Sequence, residues 1–218
     1  MQPKKLLRSI GICIGSVLLA IVIGCILMTC AYVMPTYRML PHVVQSEDSI
    51  NVEGSAYYWA PGYPISRLDG FTDNVMMQTA VFETTESPLK AAMLNQRMEF
   101  PKAKLIPGIA LLNYVNGARN GEVVSYGRYW HGYLIFLKPL LTLFTLPDIR
   151  VFNMILQWVL ALALLFLAHR KGGYRMVIPL GVALLCLNPV STALSMQYSS
   201  IYYLTLIFSI LQLQFDLY

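Results

Sequence analysis

From Ile10 to Val33 the chain reads "IGICIGSVLLAIVIGCILMTCAYV", 24 residues without a charge. About 20 apolar residues are what a helix needs to cross the hydrocarbon core of a bilayer. No water is there to take up backbone polar groups, so a helix is the form such a run adopts. The run is longer than the apolar stretch of a secretory signal and lacks a clear small-residue cleavage site. "VIGC" at Val22–Cys25 has the form of a lipoprotein cleavage box, but the apolar residues continue past Cys25. The expectation is a first transmembrane helix over 10–33. Its basic start, residues 1–9 with Lys4, Lys5 and Arg8, stays in the cytoplasm.

Composition points the same way. Of 218 residues, 56% are hydrophobic and 12% charged, where a soluble domain carries about 25% charged residues. The net charge of +5 does not indicate nucleic acid, because ten basic and ten acidic residues between Met34 and Arg150 cancel. The surplus sits in the N-terminal trio and in Arg170, Lys171 and Arg175. Cys13, Cys25, Cys30 and Cys186 all lie in apolar runs, with neither zinc-ligand spacing nor a disulfide framework. They read as packing residues.

Residues 34–128 carry prolines, glycines, tyrosines and nearly all the acids, and predict a small extracytoplasmic subdomain of short helices. "YYWAPGYP" (Tyr57–Pro64) is turn-rich. "TDNVMMQTAVFE" places Val75, Met76, Thr79 and Phe82 on one side at helical spacing. "SPLKAAMLNQRM" (Ser87–Met98) has Ser as a cap and Pro88 at the first helical position. "IPGIALLNYVNGARNGE" is a third candidate helix, ended by its Asn-Gly pairs. Residues 129–146, "YWHGYLIFLKPLLTLF" and its end, predict a helix lying in the outer interface. Lys138 and Pro139 at its middle disfavour a crossing. Ile149–Ala168 is a second span and 169–175 a basic cytoplasmic loop. Met176–Leu194 is a third span, interrupted at Asn188-Pro189, and 202–218 a fourth. With residues 129–146 outside, both basic clusters face the cytoplasm, as the positive-inside rule requires. The last run stops at "LQLQFDLY" with Asp216 inside it, which predicts a truncated chain. The fold class expected is thus an all-α polytopic membrane protein of about four spans, with a long first outer loop.

This order of parts, with "LDGFTDN", "YWHGYLIFLKPLL", "PDIRVFN", "LAHRKGG" and "SMQYSSIYY" in sequence, resembles the N-terminal part of GT-C class membrane glycosyltransferases. These use polyprenyl-phosphate sugars. The match covers essentially the whole chain, and His131-Gly132-Tyr133 stands where the class has His-Pro-Pro. The resemblance implies an inverting sugar transfer from a polyprenyl-phosphate donor on the outer face of a bacterial inner membrane. It implies a catalytic acid in the first outer loop, here Asp73 or Asp69.

One carboxylate within reach of the acceptor hydroxyl suffices as base, and cations stabilise the departing phosphate. Asp73 is favoured because it begins an apolar helix. Helix capping is the competing reading of both aspartates, and Gly70 between them argues for a turn. Arg128, His131, Lys138 and Arg150 are the expected phosphate partners; as headgroup-level or interface residues they have a plainer reading. A divalent cation, Mg or Mn, could sit between the two carboxylates, a weak signal on its own. Membrane lipids are the other expected partner, and nucleic acid is not one. The alternative function is a non-catalytic polytopic membrane protein, either a transporter or an envelope-assembly subunit.

Overall fold

The computed structural model of the protein describes residues 3–101 and 106–215, with side chains from Arg8 onward. Asp216 and the last residues of the expected fourth span lie outside the described residues. Most of what is described is helical.

The first uncharged run forms α1, Pro3–Val33. Of the described helices, two are long and apolar enough to cross a membrane: Arg8–Val33 of α1, and α8, Leu146–Gly172. At 1.5 Å per residue the 27 residues of α8 extend about 40 Å. The start of α8 is written locally. Thr145 accepts from the Asp148 backbone, Asp148 reaches back to Thr145, and Pro147 sits in the first turn. Gly173, at φ +61°, ends it.

Between α1 and α8 lies the subdomain. Its helices are α2 (Leu40–Val44), α3 (Glu47–Glu53), α4 (Gly70–Val81), α5 (Pro88–Leu94), α6 (Pro107–Val115) and α7 (Leu134–Leu141). It also contains strands, which corrects the all-α expectation. β1 (Tyr57–Tyr58) pairs antiparallel with β2 (Arg67–Leu68), and β3 (Gln96–Glu99) with β4 (Glu122–Ser125). The predicted helix over Ser87–Met98 therefore stops early. Asn95 turns left-handed at φ +46°, the conformation in which Asn often ends a helix, and the chain leaves as β3. Conversely, α4 begins at Gly70, so the glycine expected to make a turn is the first residue of the helix.

α7 is eight residues long, about 12 Å, and far too short to cross a bilayer core. Leu134, Leu137 and Leu141 bury one face of it in the apolar cluster that also holds Met28 of α1 and Met77 and Ala80 of α4. The predicted third span is two pieces. α9 (Tyr174–Cys186) is only 13 residues long, and α10 (Pro189–Leu194) follows Asn188, which sits at φ +52°. α11 runs over Met196–Phe215, starting six residues before the predicted fourth span. The expected basic loop of 169–175 is a break at Gly173 alone, with His169, Arg170 and Lys171 in the last turn of α8. A second apolar cluster, Ala161, Leu164, Leu184, Tyr202 and Leu206, joins α8, α9 and α11.

The long helices meet the subdomain at one end. Tyr32, near the end of α1, donates to Asn95 Oδ1 at 3.2 Å. Leu146 N, at the start of α8, donates to Ser46 Oγ at 2.9 Å. Met196 N, at the start of α11, donates to Asp73 Oδ2 at 3.0 Å. Since α1 ends and α8 begins there, Arg8 and the Arg170–Lys171 turn are carried to the opposite end.

Candidate functional site at the junction of subdomain and helices

The two aspartates of "LDGFTDN" have separate tasks. Asp69 is half-buried and caps α4. Its Oδ1 accepts from Thr72 N at 3.0 Å and its Oδ2 from Thr72 Oγ1 at 2.7 Å. Each oxygen has further acceptor capacity, so an incoming hydroxyl can still reach it. Asp73 is 1% exposed. Its carboxylate accepts from Ser195 Oγ (3.2 Å), Met196 N (3.0 Å) and Gln197 N (3.1 Å). An anion there satisfies orphan donors at the head of α11 and meets the positive end of its dipole. Burial nevertheless dominates, and it pushes the Asp73 carboxyl up to about 6 against the lowering by those donors and by Arg150. Asp73, favoured from the sequence, is enclosed and fully engaged, whereas Asp69 is the more accessible carboxylate.

Arg67 is exposed two residues before Asp69. Both act electrostatically on the half-buried Tyr198 of α11, as does Asp73. A carboxylate, a guanidinium and a phenol thus gather at the head of α11. The hairpin beside them is pinned to α10: Trp59 Nε1 donates to Ser191 Oγ at 2.9 Å. Asn188 Nδ2 and Ser191 Oγ donate to Ile65 O at 2.8 and 3.1 Å.

The four expected phosphate ligands do not assemble. Arg128 is exposed and lies over the Tyr129 ring, 5.6 Å from its centroid. His131 is 7% exposed. Its Nε2 faces Tyr126 O at 2.8 Å and its Nδ1 faces Tyr133 Oη at 3.0 Å. A carbonyl only accepts, so Nε2 carries the proton and Nδ1 takes the tyrosine hydroxyl. Burial lowers the pKa of this ring, which fits that neutral form. Neither nitrogen is left for a ligand.

Lys138 is 1% exposed rather than at headgroup level. It turns inward because the end of α4 leaves a carbonyl unpaired: Nζ donates to Ala80 O at 2.6 Å and sits 4.9 Å from the Tyr32 ring centroid. Burial pulls its pKa down to about 8. Arg150, 7% exposed, forms a bidentate pair with Glu53, with Nη2 2.6 Å from Oε2. A phosphate would have to displace Glu53 from it. No sequence signal marked Glu53; it is the last residue of an ordinary short helix, α3. Tyr198 lay within "SMQYSSIYY" and Arg67 just before "LDGFTDN", but neither carried a pattern of its own.

The cation expected between Asp69 and Asp73 does not fit this geometry. Asp73 is buried with three donors on its carboxylate, which leaves Asp69 as the one carboxylate of the pair open to a cation. Among the described residues no group of three His, Cys, Asp or Glu side chains could hold a metal ion. No family model, curated protein or solved structure matches the chain.

Proposed function

We propose that this chain belongs to a membrane glycosyltransferase that passes a sugar from a polyprenyl-phosphate donor to an envelope acceptor. The acceptor is a glycan, a lipid or a protein, and transfer occurs on the outer face of a bacterial cytoplasmic membrane. One observation carries the reading. The accessible Asp69 lies beside Arg67 and Tyr198, where the subdomain meets the head of α11. That end of the helices is the one opposite the basic turn at Arg170–Lys171. With basic residues inside, α1, α8, α9 with α10, and α11 are four passes, and the subdomain sits outside, where a lipid-borne sugar is presented.

In this reading Asp69 takes the proton of the acceptor hydroxyl as that oxygen bonds to the anomeric carbon. The bond from that carbon to the phosphate oxygen breaks, and polyprenyl phosphate leaves with the electron pair. Attack opposite the leaving group inverts the centre. Arg67 is the cation placed to meet the departing charge. Asp73 holds the head of α11 in position and does not touch the substrate. The protein in nanodiscs, given polyprenyl-phosphate sugars, should transfer sugar. Asp69→Asn should lower the rate by about 10²–10⁴-fold, the usual contribution of a general base. Unchanged transfer in Asp69→Asn removes the proposal.

A second reading, a non-catalytic membrane subunit, draws on a different observation. Asp73, His131, Lys138 and Arg150 are all engaged in internal pairs. It predicts that no polyprenyl-phosphate sugar is consumed by any variant.

A further inference from the structure

We propose that the cleft between α4, β3 and α6 is a saccharide site that takes a neutral sugar unit of one or two rings. The transferase reading is used only in making that sugar the acceptor. The cleft measures about 310 Å³, at the small end of ligand pockets. Phe71 and Tyr126 line it and remain 42% and 39% exposed, leaving two aromatic rings for the apolar C–H face of a sugar.

Its polar equipment is Arg97 and Glu99, which pair with each other with side chains 15% and 25% exposed. Arg97 also lies 5.4 Å from the Tyr126 ring centroid, which fixes its direction. The pair is neutral overall but offers N–H donors and carboxylate lone pairs side by side. The paired charges cancel, so neither a phosphate nor an amine gains a net attraction there. A purely apolar guest leaves both groups desolvated without partners. Hydroxyls both donate and accept, so a neutral sugar satisfies the two together. Thr72 lines the same cleft, and its hydroxyl donates to Asp69 Oδ2 at 2.7 Å. The cleft therefore opens one residue away from the accessible carboxylate, where an acceptor hydroxyl is needed.

Saturation-transfer NMR on the full chain in nanodiscs tests this, using neutral mono- and disaccharides with glucose 1-phosphate and glucosamine as charged contrasts. A neutral saccharide should give signal. Phe71→Ala and Val75→Trp, the latter filling the cleft, should weaken binding at least tenfold while the unfolding temperature stays at the wild-type value. Asp69→Asn should still bind. Silence from every neutral sugar, stronger binding of the charged ones, or wild-type binding in both cleft variants overturns the assignment. Sugar binding without transfer overturns only the transferase reading; transfer without sugar binding overturns only this one.

Discussion

Asp73 closes the head of α11 from 123 residues away, accepting from Met196 N at 3.0 Å while only 1% exposed. Its pKa rises from 3.8 to about 6 on folding, chiefly through burial. The folded chain therefore holds a proton that the unfolded chain has released between those values. The contribution of Asp73 is greatest below about pH 4 and falls by about 3 kcal/mol as pH rises past 6. His131, with a lowered pKa, slopes the other way: stability falls as pH drops below about 6.5. The two oppose each other, so the comparison is between Asp73→Asn and wild type. The variant should gain on wild type between pH 5 and 7.5, read as unfolding temperature in nanodiscs. An equal gap at both pH values would mean that burial does not govern the carboxyl.

Arg150 and Glu53 tie α8 to α3, and neither is open to water: their side chains are 9% and 14% exposed. Breaking such a pair from one side leaves a buried charge and costs about 3–5 kcal/mol. Arg150→Ala and Glu53→Ala should each destabilise by that order. The double variant Glu53→Ala/Arg150→Ala should lose less than the two singles added. Additive losses in a denaturation cycle would show that the pair is not coupled.

Lys138 separates a packing role from a ligand role. Lys138→Met keeps the volume and removes a buried charge but strands the Ala80 carbonyl, so stability should fall by about 1–3 kcal/mol. Lys138→Ala leaves a void and should cost about 2–4 kcal/mol. If the lysine instead bound phosphate, both variants would lose donor affinity alike, in a titration with polyprenyl phosphate.

Gly70 is required by a close approach. A Cβ there would stand 2.5 Å from the backbone oxygen of Gly54. Neither main chain can yield cheaply, so Gly70→Ala should cost about 1–3 kcal/mol. Gly11→Ala, in α1 with nothing within 4 Å, is the control and should be near neutral. Equal unfolding temperatures for both variants would contradict the described packing.

What could be read from the sequence was local. The first uncharged run, the Thr145–Asp148 capping box and the cap at Asp69 are written in consecutive residues, and α1, α8 and α4 follow from them. What escaped is non-local. "QRME" favours a helix by propensity but becomes β3 because Glu122–Ser125 pairs with it. Asp73 has the same local signature as Asp69. Only the arrival of Ser195–Gln197 makes one a buried clamp and leaves the other accessible. Lys138 looked like a headgroup anchor until the carbonyl of Ala80 claimed it.

The ties between subdomain and helices also set an order of assembly. Ser46 bonds a partner 100 residues downstream, Glu53 one 97 residues on, and Asp73 one 123 residues on. Long-separation contacts form late because the intervening chain must first be closed. As the chain is synthesised, the carboxylates of Glu53 and Asp73 and the hydroxyl of Ser46 therefore stay without these partners until α8 and then α11 have been made. Until then the subdomain is a set of short helices and two hairpins whose three polar ties to the rest of the chain are unmade.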